Sequence, residues 1–201
     1  MYPFSRKSLL VLVLLFHVVF MFDYFNSLLI LCMLLIFKSF ALLRCYHDTT
    51  DLSYEEILGE FNLKIVVVMS TTLLVLATVI GFIFQLLRIK TDITVATFSF
   101  EVLIYFIAYS FAFAVTNILV IKLLMDNDYN LSFNIVSTIV IILNLLPSIL
   151  GFPVNSILLI LIQIVSISLL NKIYLKDGSL INYFYIYLTY NLVTLVIQHI
   201  Y

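Results

Sequence analysis

Tryptophan is absent from this chain, glycine occurs four times, proline three times and cysteine twice, and only 10% of the residues are charged. Each shortage excludes something. Four glycines leave little material for phosphate cradles or carbonyl-lined selectivity filters, and no Gly-rich phosphate loop is present. Cys32 lies inside an apolar run and Cys45 just after one, with no C-x-x-C pattern, so a disulfide framework or a cysteine-bound metal is not expected. The net charge is -1, and no Lys/Arg cluster suits nucleic acid or a polybasic lipid patch. Without tryptophan, interfacial anchoring in a membrane would fall to tyrosine, and Tyr2, Tyr46, Tyr129, Tyr174 and Tyr201 stand at the ends of apolar runs.

What is present is hydrophobicity. Hydrophobic residues make up 64% of the chain and the mean hydropathy is +1.21, whereas soluble domains carry about 25% charged residues. The apolar runs fall at 8–25, 27–43, 65–87, 102–124, 132–151, 153–170 and 182–200, near or above the roughly 18 residues that a bilayer core demands. The pattern predicts an all-α, polytopic transmembrane helix bundle of about seven spans, or six if the first two, separated only by 23–26, form a re-entrant hairpin. Arg6 and Lys7 before the first run resemble a secretory signal, but no small-residue cleavage site follows, so this run reads as a retained span. Three parts result: an N-terminal transmembrane hairpin at 1–43, an acidic connector at 44–64 and a five-span bundle at 65–201.

Within the connector, Ser53 and Glu56 have the spacing of a capping box, with Leu52 and Ile57 at the staple positions. A short helix is expected from Tyr54, its apolar face of Ile57, Leu58 and Phe61 lying on the membrane surface. Basic residues set the orientation. With the N-terminus cytoplasmic, Arg6, Lys7, Lys38, Arg44, Lys64, Lys122, Lys172 and Lys176 fall inside or snorkel there, and only Arg88 and Lys90 fall outside. The C-terminus then lies across the membrane, which reads as a bacterial inner membrane with an organelle membrane as the alternative.

Ionisable groups within spans are costly and are the first place to look for function. Here they are His17, Lys38 and Glu101. Lys38 near the end of its run is expected to snorkel, His17 to hydrogen-bond a neighbouring helix, and Glu101 to sit at the interface near a helix N-terminus. Uncharged polar residues form stripes. Thr71, Thr78 and Gln85 recur every seventh residue beside Ala77 and Gly81, predicting a packing face. Glu101, Tyr105 and Tyr109 step by four; Asn134, Ser137, Asn144 and Ser148 share a face, with Pro147 expected to kink the helix; Tyr183, Tyr187, Tyr190, Thr194 and Gln198 continue along the last span. Such stripes must face protein or water. They therefore mark Glu101, Tyr105, Tyr109, Asn134, Asn144, Tyr183, Tyr187 and Tyr190 as interhelical contacts or a polar path.

No catalytic set accompanies them. A nucleophile with its base, or a metal with His and carboxylate ligands at one depth, is missing, and the D-x-D of Asp126 and Asp128 lacks the remaining ligands of a calcium loop. No cofactor is implied.

From about Leu119 onward, LMDNDYNLSF at 124–133, LLPSILGFP at 145–153 and LNKIYLKDG at 170–178 occur in an order that resembles the Yip family of membrane-trafficking proteins. That resemblance implies a five-span domain over residues 65–201, a cytoplasmic N-terminus and action through membrane and protein contacts. The expected function is a non-enzymatic scaffold, accessory subunit or trafficking-type factor, whose partners are the lipid bilayer and other membrane subunits or a second copy. The alternative is a small-solute transporter or permease subunit using the stripes of spans four, five and seven.

Overall fold

The computed structural model describes residues 5–21, 27–86, 99–125, 129–151 and 157–200. Tyr2, Asp23, Arg88, Lys90, Asp126, Asp128, Pro153 and Tyr201 lie outside them, as do the side chains of His17, Gln85, Pro147, Ser148, Thr194 and Gln198. Among the described residues there is no strand. The helices are α1 (Arg6–Met21), α2 (Leu28–Thr50), α3 (Tyr54–Leu58), α4 (Leu63–Leu86), α5 (Phe100–Met125), α6 (Phe133–Gly151), α7 (Ile157–Asp177) and α8 (Leu180–Ile200). Three helical stretches, Leu28–Thr50, Tyr54–Ile83 and Phe100–Met125, are long and apolar enough to cross a membrane.

With so little glycine and proline, helix boundaries are set mainly by serine and asparagine. The Ser5 hydroxyl accepts from the Ser8 N–H at 3.2 Å, Ser99 from Val102 at 3.2 Å, and the Asn62 side chain from Ile65 at 3.2 Å. Each satisfies one of the orphan donors of a helix start. At the other kind of boundary, α2 stops where Asp51 turns left-handed (φ 55°) and its N–H closes on the His47 carbonyl. The charged stretch from Arg44 to Thr50 thus belongs to α2, held by the Arg44–Asp48 pair at 3.1 Å, one helical turn apart.

Helix α5 is the hub. It packs against α2, α8, α6 and α1, and it is buried almost continuously from Ala112 to Leu124. The N-terminal helices belong to the same core: Leu9, Val13, Leu42 and Tyr46 join Ile118, Leu119 and Tyr183 in one apolar cluster. By contrast, α4 touches only α7 and α8 substantially and turns most of its surface outward. The expected packing face on α4 is met only at Ala77, which packs against the main core: Thr71 and Thr78 are exposed, and nothing lies within 4 Å of a Cβ built on Gly81. Their hydroxyls donate instead to the Val67 and Leu74 carbonyls of their own helix, both at 2.8 Å, which removes their need for a partner.

The capping box forms as expected. The Ser53 N–H donates to Glu56 Oε2 at 2.7 Å and the Glu56 N–H to Ser53 Oγ at 3.2 Å. Those bonds, the backbone one foremost, hold the Glu56 carboxyl below its ordinary range. The apolar face of the short helix is divided: Ile57 is fully buried in the main core, with Leu52 and Leu58 packed around it, whereas Phe61 is exposed, and α3 rests on the start of α8. Burial of the Ile57 side chain contributes about 2 kcal/mol to that docking.

One node fixes this end of the bundle. Ser179, at the start of α8, donates to the Glu60 carbonyl at 2.9 Å and accepts from the Asn182 N–H at 3.2 Å. Asn182 is fully buried; its Nδ2 donates to the Glu60 carbonyl at 3.1 Å and to the Asp177 carboxylate, and its Oδ1 accepts from the Asn62 N–H at 2.8 Å. This approach is open only to glycine at position 59. Gly59 adopts φ 73°, ψ 178°, a region closed to L side chains, and a Cβ there would stand 2.7 Å from the Ser179 Cα. Gly178 also has positive φ (68°) but open space around it. Gly59→Ala is expected to destabilise the folded protein by on the order of 2–4 kcal/mol, and Gly178→Ala by only about 1 kcal/mol. Unfolding of the detergent-solubilised protein measures both, and equal losses would refute the close-approach argument.

Candidate functional site

The polar residues of α5 to α8 converge on the Tyr183 hydroxyl. Tyr183 has no exposed surface. Its hydroxyl accepts from Asn117 Nδ2 at 3.2 Å and donates to Asn171 Oδ1 at 3.3 Å. Asn117 Oδ1 in turn accepts from Asn144 Nδ2 at 2.9 Å, and Asn171 Nδ2 donates to Ser137 Oγ at 3.0 Å. A second donor hydrogen of Asn144 reaches the Val140 carbonyl at 2.7 Å. The chain of bonds runs Asn144, Asn117, Tyr183, Asn171, Ser137, and so joins α6, α5, α8, α7 and α6 again. A further link, Asn191 Nδ2 to Ser110 Oγ at 3.1 Å, ties α8 to α5 farther along.

An aromatic stack continues from this network. The Phe113 ring lies 4.0 Å from that of Tyr187 and nearly parallel to it, at 12°. Tyr109 approaches Phe113 at 6.1 Å and Tyr187 at 6.3 Å, Tyr105 stacks on Tyr109 at 5.7 Å, and Tyr190 on Tyr187 at 6.4 Å. The four longer spacings are those of favourable ring pairs. Tyr183, Tyr187 and Tyr190 are all buried, so the described part of the last helix's stripe faces protein.

Of the residues singled out in the sequence, the structure brings together Asn144 and Tyr183 through Asn117, and Tyr105, Tyr109, Tyr187 and Tyr190 through ring contacts. Two stand apart. Glu101 is exposed in the first turn of α5, and Asn134 is exposed in the first turn of α6. Asn117 and Asn171, the links that complete the network, belong to no stripe; Asn117 is a single amide in an apolar run and Asn171 directly follows one. Their signal was the rule itself, that a buried amide requires a partner.

Two further features were read differently from the sequence. Lys38 does not snorkel: it lies near the middle of the 23-residue α2 and is only 4% exposed, because the helix continues well past Leu43. Tyr46 and Tyr174 are not surface anchors but are buried in protein, at 6% and 7% exposure. Among the described residues no group of three His, Cys, Asp or Glu side chains could hold a metal ion. No protein-family model, curated protein or solved structure matches this chain.

The network makes Tyr183→Phe a sharp test. Removing one oxygen strands a buried amide donor on Asn117 and an acceptor on Asn171, so a loss of about 1–2 kcal/mol is expected. Asn134→Ala, at an exposed position, should change stability by under about 0.5 kcal/mol. Equilibrium unfolding in mixed micelles compares the two, and equal effects would mean that the bonds to Tyr183 contribute nothing.

Proposed function

We propose that this chain is a multi-pass integral membrane protein that acts as a non-enzymatic scaffold, accessory subunit or trafficking-type factor through helix–helix and protein contacts. The observation that carries this reading is the closure of the polar network: Asn117, Asn144, Asn171 and Tyr183 bond to one another. A transport path needs polar groups that present themselves to a solute. The order of features that resembles the Yip family favours the trafficking-type member of this class.

Orientation follows from the ends of the bundle. Arg6, Lys7, Arg44, Lys64, Lys122, Lys172 and Lys176 gather at the end where α1, α4, α6 and α8 begin and α2, α5 and α7 finish. The positive-inside rule makes that end cytoplasmic, together with the N-terminus and the 44–64 connector. The second reading, a small-solute transporter or permease subunit, is favoured by one observation, the burial of Lys38 within the bundle.

Cysteine accessibility tests the topology in a background carrying Cys32→Ala and Cys45→Ala. Glu55 is exposed and outside the capping bonds, so Glu55→Cys reports the connector and Tyr201→Cys the C-terminus. An impermeant reagent applied to intact cells should modify only the C-terminal cysteine; the reverse result would invert the topology. Activity separates the two functional readings. Glu101→Gln should leave protein level, cellular function and co-purifying partners unchanged, since the carboxyl is exposed in the first turn of α5. A normal level with lost function in this variant would promote the transporter.

A further inference from the structure

At the basic end of the bundle an open cleft of about 490 Å³ is assembled from residues far apart in the chain. Arg6 and Lys122 supply two cations, Tyr46 and Tyr174 line the cleft beside them, Thr50 lies there with its hydroxyl donated to the Tyr46 carbonyl at 2.8 Å, and Met125 is among the apolar lining residues. Among the described residues no acidic side chain lines it. Lys122 stands over the Tyr46 ring, its Nζ 5.7 Å from the centroid, a cation–π contact that orients the ammonium. The cleft's depth is informative. Arg6 opens α1, Thr50 closes α2, Lys122 lies in the last turn of α5 and Gly178 follows α7, so the site sits where four helices end.

We propose that this cleft binds the phosphate of an anionic phospholipid. Two cations in one cleft match a phosphodiester, which accepts charge-assisted bonds from more than one donor at once. The apolar residues of the same lining suit the glycerol and first methylenes of that molecule, which a free phosphate lacks. The size lies within the range of small-molecule sites, roughly 300–1,000 Å³. The depth argument rests on the membrane reading above, since helix ends mark the headgroup level only if the helices cross the bilayer.

The test uses the full chain purified in neutral detergent micelles, where no membrane surface potential draws lipid to basic residues generally. Native mass spectrometry with trace phosphatidylglycerol or phosphatidylcholine reads retention directly and does not depend on topology, so its failure is separable from that of the labelling experiment. Phosphatidylglycerol should be retained about tenfold better than phosphatidylcholine, and the double variant Arg6→Gln with Lys122→Gln should abolish the difference. Lys122→Gln alone, at a half-exposed position tolerant of substitution, should reduce it at least about threefold. Lys172→Gln with Lys176→Gln, which removes two cations outside the cleft at the same end, should leave it intact. Equal retention of the two lipids, or an undiminished preference in the cleft variants, would overturn the proposal. Displacement of phosphatidylglycerol by millimolar inorganic phosphate would overturn the lipid assignment and identify a soluble phosphate compound as the occupant.

Discussion

Because the Tyr183 hydroxyl is wholly enclosed and still both accepts from Asn117 and donates to Asn171, helices α5, α7 and α8 fit together in one register. Apolar packing alone specifies little here. Leu, Ile and Val line nearly every face of every helix, so rotating or sliding one helix would exchange one apolar contact for another of similar worth. A hydrogen bond does not degrade so gently. Displacing α8 by one residue would strand a donor of Asn117, an acceptor of Asn171 and the phenol of Tyr183, each costing roughly 1–3 kcal/mol. The network therefore discriminates among packings that hydrophobicity would treat as equal.

The same logic operates at the basic end through backbone groups. Ser179 and Asn182 bind the carbonyl of Glu60 and the N–H of Asn62, which ties the segment after α3 to the start of α8. That segment must come close enough to touch, and Gly59 is what permits it. The two nodes are linked by α8 itself: Asn182 anchors its first turn and Tyr183, the next residue, points into the bundle. One helix thus sets both the register of the core and the closure of the end that carries Arg6, Lys122 and the cleft between them.

Much of this was legible in the sequence, and the misreadings have specific causes. Apolar runs located all seven long helices, and the spacing of Ser53 and Glu56 gave the capping box, since both signals are local. The end of α2 was misjudged because a charge was taken as a stop. Arg44 and Asp48 pair one turn apart inside the helix, and the true terminator is the left-handed Asp51. The reading of Lys38 as a snorkelling residue failed with it. On α4, the seven-residue recurrence of Thr71 and Thr78 looked like a packing face, but threonine in a helix can return its hydroxyl to the carbonyl four residues back, and both do. Asn117 escaped notice for the opposite reason: a single amide has no period. Partnership between helices is a property of the fold, and no pattern within one helix encodes it.

These hydrogen bonds also bear on where activity can reside. Amides and a phenol that bond to one another offer a passing solute fewer free groups than the polar content of α5 to α8 suggests. The outer face of α4 offers few as well, because its hydroxyls bond inward to their own backbone, and it can meet acyl chains without change. What remains open to chemistry lies where helices end. There backbone groups, basic side chains and hydroxyls meet solvent, and there residues as distant in the chain as Arg6 and Lys122 line one cleft.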